Sequence, residues 1–148
     1  LTPTAPTPAF KIGEKTAESV KITIGTAMLT EENRDSVDVK GRDLVTGVPK
    51  TVRLTDAEVF ESLTEPISII VDAVRSALEN EQPELSSDLV DRGIMMAGGG
   101  SMLKNLDKLL SKETGLPVKL APNPLLCVVL GAGKVLEELD FFREALMR

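Results

Sequence analysis

Three consecutive glycines, Gly98, Gly99 and Gly100, separate an apolar run from an amphipathic segment. The run over residues 94–97 is short and continuous, which predicts a buried strand. From Ser101 onward the apolar residues recur at helical spacing and predict a helix; they are Met102, Leu103, Leu106, Leu109 and Leu110. A strand, a glycine turn and a helix start in this order indicate an α/β arrangement with accessible backbone at the turn.

The glycine turn has two explanations. Glycine lacks the Cβ that would keep a ligand away, and the first N–H groups of a helix carry a partial positive charge, so an anionic ligand could bind there. A tight turn that needs positive φ would use glycine without any ligand, and the spacing alone does not separate the two. A P-loop is excluded, because a Walker A pattern from Gly93 needs Lys and then Ser or Thr after Gly98, where Gly99 and Gly100 stand.

Composition restricts the class of function. A chain of 148 residues with 42% hydrophobic and 27% charged residues is typical of a globular domain. The net charge of −6 disfavours nucleic acid and anionic membranes as partners. Without histidine, and with Cys127 as the single cysteine, Ser-His and Cys-His catalysis are excluded. No run approaches a membrane span of roughly 20 residues, and no signal peptide is recognisable, so we expect a soluble, cytoplasmic chain without membrane insertion.

The first half of the chain predicts a leader, a helix and a β-hairpin. Residues 1–11 are rich in proline and without period, which indicates an extended or disordered leader. Apolar side chains on one face predict a short helix over residues 16–27. Alternating apolar residues on both sides of positions 43–47 predict two antiparallel strands; they are Val37, Val39, Val48, Val52 and Leu54.

Helices dominate the second half. Thr55 and Glu58 have the spacing of a capping box, and Pro66 is expected to break or restart the helix that follows. A second strand is expected over residues 117–121, and Asn123 followed by proline predicts the N-cap of a last long helix. The two strands and the helix between them are expected to form a right-handed crossover with parallel strands.

The last long helix contains two glycines, Gly131 and Gly133, which each cost about 1 kcal/mol relative to alanine. That cost indicates close packing, and we expect a strand or the glycine turn as the neighbour. Residues 140–148 predict a C-terminal amphipathic helix. Its apolar residues are Phe141, Phe142, Leu146 and Met147.

Five segments resemble the MreB family of bacterial actin-like cell-shape proteins. The most specific is residues 91–107, Asp-Arg-Gly-Ile-Met-Met-Ala-Gly-Gly-Gly-Ser-Met-Leu-Lys-Asn-Leu-Asp, which is similar to the family's adenosine-binding segment. The other four follow the family's order and cover residues 12–18, 39–49, 83–85 and 113–117. The resemblance runs from about Ile12 to the C-terminus and covers only the second half of the family's chain.

The resemblance implies an α/β fold, the C-terminal half of an actin-like ATPase of the actin, Hsp70 and hexokinase type. Such a half holds a partial sheet with packed helices and a small helix-hairpin subdomain. Residues 12–82 would form the small subdomain beside the nucleotide cleft, residues 83–139 the nucleotide-facing α/β subdomain, and residues 140–148 the C-terminal helix.

The resemblance also assigns a binding role to Glu18 and Lys21. Their spacing alone favours an exposed helix face with an ion pair between residues i and i+3. Residues 13–18, however, match the family segment that closes over adenosine, which implies that Glu18 and Lys21 contact the nucleotide. Thr23 departs from the family, in which many members carry glutamate at this place.

By the same resemblance, Gly98, Gly99 and Gly100 form the backbone floor under adenosine and the inner phosphates. The implied cofactor is ATP, with Mg²⁺ held only through the half of the family that this chain lacks. No catalytic residue and no metal ligand is assigned within the chain.

The implied function is that of a piece of an actin-like cytoskeletal ATPase. The family polymerises into filaments that direct rod cell shape and cell-wall synthesis, so the expected partners are further copies and cell-wall elongation proteins. The family's Asp-x-Gly turn and Asp-x-Gly-Gly-Gly hairpin are absent from the chain, so hydrolysis by this chain alone is not expected. The alternatives are a non-enzymatic interaction or scaffold module and a stand-alone nucleotide sensor.

Overall fold

The computed structural model describes residues 10–30, 35–139, 141 and 143. The described residues up to Ile70 form one compact unit, and those from Val71 onward form a second. The division lies inside one continuous helix, whereas the sequence predicts a boundary between residues 82 and 83.

The first unit contains a three-stranded antiparallel sheet with the strand order β1-β2-β3. Its elements are β1 (Phe10–Lys11), α1 (Glu14–Ile24), β2 (Ser36–Asp43), β3 (Pro49–Thr55) and the beginning of α2 (Asp56–Glu79). The predicted hairpin is thus observed. Phe10 and Lys11, assigned to the leader from sequence, instead pair with β2, because the edge of β2 offers backbone partners to them. Residues 1–9 lie outside the described residues.

The core of the first unit lies between α1 and the sheet. Val20, Ile24 and Val39 are buried, and five partly buried side chains pack on them: Phe10, Ile12, Val37, Leu54 and Val59. Residues i and i+4 of a helix share one face, which places Val20 and Ile24 together above β2. Helix α1 ends three residues earlier than predicted, where the N–H of Gly25 donates to Lys21 O.

Helix α2 begins with the predicted capping box. The backbone N–H and hydroxyl of Thr55 both donate to Glu58 Oε2 at 2.9 Å, and the N–H of Glu58 donates to Thr55 Oγ1 at 3.4 Å. The predicted break at Pro66 is wrong, because the helix continues through it to Glu79. Proline removes one internal hydrogen bond, and burial of Ile67 directly after it offsets part of that loss.

The second unit contains a two-stranded parallel sheet, β4 and β5, with Ile94 opposite Val118 and Met96 opposite Leu120. Its elements are the end of α2, α3 (Pro83–Arg92), β4 (Ile94–Met96), a 3-10 turn (Gly99–Met102), α4 (Leu106–Thr114), β5 (Val118–Leu120) and α5 (Cys127–Glu137). Helix α4 packs on β5, and the buried apolar residues are Val71, Met96, Leu106, Leu110 and Ala121. The parallel pair follows the predicted crossover, whereas α3 was not predicted.

Two predicted helix starts are wrong. The segment after the glycines first forms the 3-10 turn, and α4 starts only at Leu106. Asn123 is not an N-cap, because it has a φ of 52°, whereas an N-cap residue has extended backbone. Its carbonyl instead accepts the N–H of Leu126 at 2.9 Å, so a turn precedes α5, which begins at Cys127.

Helix α5 does not have the close packing predicted for its glycines. A Cβ built on Gly131 or Gly133 meets no described heavy atom within 4 Å. Several apolar residues of this region are exposed, including Val128 at 81%, Leu136 at 69% and Phe141 at 79%. Residues 140, 142 and 144–148 of the predicted C-terminal helix lie outside the described residues. No helix in the described ranges is long and apolar enough to cross a bilayer.

Candidate functional site

Hydrogen bonds hold the glycine loop in place at the carboxyl end of β4. The N–H of Gly98 donates to Pro124 O at 2.8 Å, which joins the loop to the turn before α5. The hydroxyl of Ser101 donates back to Gly98 O at 2.6 Å, and the N–H of Ser101 reaches the same oxygen at 3.3 Å. Hydrogen bonds within the chain therefore hold the loop from both sides.

The loop leaves bare backbone open to a ligand. A Cβ built on Gly98 or Gly100 meets nothing within 4 Å, and one on Gly99 meets only the Leu125 side chain, at 3.3 Å. The N–H groups of Gly99 and Gly100 open the 3-10 turn and find no acceptor in the described part of the chain. The loop thus presents two donors beside empty space, which suits an anionic or polar ligand.

The tight-turn explanation accounts for only one of the three glycines. Gly98 has a φ of 85°, a conformation that residues with a Cβ rarely adopt. Gly99 and Gly100 do not have positive φ, so backbone conformation does not require glycine at either position. At Gly100 no neighbouring atom requires glycine either, since an added Cβ meets nothing within 4 Å.

The second set of predicted site residues lies in the other unit. Glu18 and Lys21 are exposed on α1, whereas Val20 and Ile24 of the same helix are buried. The exposed helix face expected from their spacing is observed, but Glu18 and Lys21 form no ion pair with each other. The structure thus brings the three glycines together in one loop and keeps Glu18 and Lys21 together on one helix.

Two supports of the loop were missed from sequence. The sequence predicts Ser101 as a helix start and Pro124 as the first residue of the last helix. In the structure Ser101 donates a hydrogen bond to Gly98 O, and Pro124 O accepts one from the N–H of Gly98. Pro124 lies 26 residues further along the chain and no sequence signal connects it to the loop. Among the described residues there is no cluster of three Asp, Glu, Cys or His side chains that could hold a metal ion.

Comparison with known families identifies the chain. The family model described as MreB/Mbl protein matches residues 8–144. The chain belongs to the MreB/Mbl family. It is 50% identical over 129 residues to the cell shape-determining protein MreB of Escherichia coli strain K12, and 42% identical to the cell shape-determining protein Mbl of Bacillus subtilis strain 168. The matches cover 87% of this chain but only 37% and 38% of those two MreB/Mbl relatives.

Solved structures confirm the predicted actin-like fold. MreB5 of Spiroplasma citri bound to ADP superposes with a TM-score of 0.83 and 36% identity over 91% of this chain and 41% of its own. The same protein bound to AMPPNP gives a TM-score of 0.84. A MamK double helical filament gives 0.71 at 21% identity, which supports the fold alone. The resemblance of this chain to the C-terminal part of an MreB protein is therefore confirmed.

Proposed function

We propose that this chain supplies the adenosine-binding wall of an actin-like cytoskeletal ATPase that polymerises and directs rod cell shape and cell-wall synthesis. The main observation that supports this proposal is the glycine loop, in which Gly99 and Gly100 present N–H donors beside open space. Membership of the MreB/Mbl family, with a relative solved with ADP and AMPPNP, indicates that the ligand is an adenine nucleotide.

In this proposal each group has one task. The N–H groups of Gly99 and Gly100 donate to inner phosphate oxygens, and Gly98 holds the turn that aims them. The carboxylate of Glu18 accepts a hydrogen bond from a ribose hydroxyl, and the ammonium group of Lys21 donates to an acceptor of the nucleotide. Residues 12–82 and 83–139 then act as the two subdomains beside the nucleotide.

The proposal assigns nucleotide binding, and not hydrolysis, to this chain. ATP supplies the phosphoanhydride bond that the whole assembly would cleave. Phosphoryl transfer needs metal ions and a group that positions water. The described residues contain no cluster for a metal ion, so Mg²⁺ would be held by other parts of the ATPase. We place the assembly in the cytoplasm, with further copies and cell-wall elongation proteins as partners.

The alternative function is a scaffold module that contacts partners without nucleotide. The observation that favours it is the exposed apolar surface, both on the β2–β3 turn, where Val45 is 85% exposed, and on α5, where Val128 is 81% exposed. Exposed apolar patches mark interaction sites. The two functions differ in one measurable respect, which is whether ATP contacts the glycine loop.

Amide chemical shifts of the ¹⁵N-labelled chain, measured during a titration with millimolar ATP, test the proposal. We expect shifts at Gly99, Gly100 and the α1 amides near Glu18 and Lys21, because binding changes the environment of those N–H groups. Inorganic phosphate serves as the control, since it should shift the glycines without shifting α1. Absence of shifts at the glycines at saturating ATP would favour the scaffold function.

A further inference from the structure

The turn between β2 and β3 exposes three apolar side chains. Leu44 is 57% exposed, Val45 85% and Val48 58%. Single exposed apolar residues are normal, but these three lie within five positions at the end of one hairpin. Residues 43–48 are called the hairpin tip below.

The hairpin tip is held in one conformation. The carboxylate of Asp43 accepts the N–H groups of Val45 at 2.8 Å and Thr46 at 3.1 Å. Three further hydrogen bonds close the turn; they are Asp43 N–H to Val48 O at 3.1 Å, Gly47 N–H to Asp43 O at 2.9 Å and Arg42 Nε to Gly47 O at 2.9 Å. A preorganised apolar tip loses little conformational freedom when it docks, so it is suited to binding.

Positive charge surrounds the hairpin tip. Lys40, Arg42 and Lys50 are exposed at the strand ends beside it. The only carboxylate in the tip, Asp43, is turned toward the backbone, where the N–H groups of Thr46 and Val45 hold its pKa below the usual value. The tip therefore has an apolar centre and a cationic rim, in a chain whose net charge is −6.

A groove beside α3 has the complementary character. It has a volume of about 240 Å³ and is lined by Glu81, Leu85, Asp88, Leu89, Arg92 and Gly93. Leu85 is 47% exposed, so part of the apolar lining is in contact with water. Two carboxylates against one guanidinium give the rim of the groove a net negative charge.

We propose that the hairpin tip of one copy docks into the α3 groove of a second copy of this chain. The apolar side chains of the tip would cover the leucines of the groove, and the cationic rim would face Glu81 and Asp88. Complementary charge of this kind selects the partner and speeds association. The inference rests on the polymerising function proposed above and names the contact that would carry it.

The proposed contact is heterologous, because the tip and the groove are different surfaces. A dimer formed through two different surfaces still has one unoccupied surface of each kind. Each copy keeps one free tip or one free groove, so assembly continues into a ring or a filament. Nonspecific apolar association does not have this property, so the property can be used as a test.

Sedimentation velocity of the full chain tests the contact with one variant on each surface. Val45→Glu places charge at the centre of the tip, and Leu85→Asp places charge in the groove; both residues are exposed, so folding is retained. We expect each variant alone to associate at least about tenfold more weakly than the original chain. Val90→Asp is the matched control, since Val90 is 64% exposed on α3 and does not line the groove.

Mixing the two variants gives the decisive measurement. An equimolar mixture of Val45→Glu and Leu85→Asp retains one intact tip and one intact groove, so it should form a dimer that does not grow. Two outcomes would overturn the proposal: association of both single variants equal to that of Val90→Asp, or a mixture that remains monomeric. Binding to anionic lipid vesicles that is lost in Val45→Glu, without self-association of the original chain, would also overturn it in favour of a membrane.

The same variants separate this inference from the nucleotide proposal. Val45→Glu and Leu85→Asp lie outside the glycine loop and α1, so ATP should shift the same amides in them as in the original chain. A mixture that dimerises while ATP shifts no glycine amide would contradict the nucleotide wall and leave the docking contact supported. ATP-induced shifts of the glycine amides in a mixture that does not dimerise would support the nucleotide wall and contradict the docking contact.

Discussion

At single positions, the physical demand for glycine differs along this chain. Gly98 supplies a positive φ at the start of the loop. Gly93 has a φ of 75° and also lies against Pro117 O, which an added Cβ would meet directly. Gly100 has neither constraint, so only a ligand or a partner would be sensitive to a side chain there.

Gly93→Ala should destabilise the second unit by about 1–3 kcal/mol or more, because alanine is strained at positive φ and its Cβ would collide with Pro117. The collision also disturbs the 2.7 Å hydrogen bond from the N–H of Ile94 to Pro117 O. Urea unfolding of the variant measures this loss. Gly131→Ala is the control, because its Cβ points into open space inside a helix and should stabilise by about 1 kcal/mol. Equal stability of Gly93→Ala and the original chain would contradict the observed approach of the two strands.

Gly100→Val should abolish the ATP-induced shifts while leaving the unfolding free energy nearly unchanged. A branched side chain would occupy the space where the backbone must approach the nucleotide, yet it meets no protein atom at its Cβ. Gly99→Val should block the ligand as well, with some loss of stability because its Cβ touches Leu125 at 3.3 Å. Unchanged ATP shifts in both variants would show that the glycines serve the turn alone.

At the level of elements, helix ends are decided by a few hydrogen bonds. The capping box at the start of α2 lowers the pKa of Glu58, because the N–H and hydroxyl of Thr55 both donate to its carboxylate. A carboxylate with a lowered pKa contributes stability above its ordinary pKa of 4.5, and that contribution is lost as the pH falls through the lowered value.

Thr55→Ala should therefore reduce the unfolding free energy by about 1 kcal/mol at pH 7. The Glu58→Gln variant should also be less stable than the original chain at pH 7, and this difference should shrink as the pH falls below 4.5. Urea unfolding at several pH values provides both measurements. A difference between Glu58→Gln and the original chain that does not change with pH would show that ionisation of Glu58 does not strengthen the cap.

Helix α5 exposes apolar side chains to solvent. Val128 and Leu136 are 81% and 69% exposed, so replacing both with serine should change the unfolding free energy by no more than about 0.5 kcal/mol. The same double variant should bind less of a hydrophobic fluorescent dye and precipitate less at high concentration. A large loss of stability would mean that these side chains are buried in solution.

For the molecule as a whole, the affinity for a nucleotide depends on how much of the nucleotide surface the chain can enclose. It spans 37% of the length of the Escherichia coli relative. Good ligand sites bury about 70–90% of the ligand surface, so the single wall proposed for this chain would leave much of a nucleotide in water. The chain by itself should therefore bind ATP weakly.

Titration calorimetry of the chain by itself measures this affinity, and we expect no saturation at micromolar ATP. ATP affinity stronger than micromolar would contradict the prediction and show that this chain encloses the nucleotide without further walls. ADP is a useful second ligand, because the proposed contacts to adenosine and the inner phosphates are common to both nucleotides.

Part of this structure follows from the sequence because its signals are local. The capping box of Thr55 and Glu58 and the alternation in β2 and β3 each depend on residues within a few positions. The family resemblance in residues 91–107 gave the fold class for the same reason, since a contiguous segment carries it. Local interactions of this kind can be recognised without knowing what the segment packs against.

Only the tertiary structure decided the features that depend on distant residues. Pro66 was expected to break α2, but the burial of Ile67 helps to keep the helix continuous. Asn123 was expected to cap α5, but its positive φ and the bond from Gly98 to Pro124 make that segment a support for the glycine loop. Such outcomes depend on contacts between residues far apart in the chain, and the free energy of those contacts exceeds the local preferences that a sequence displays.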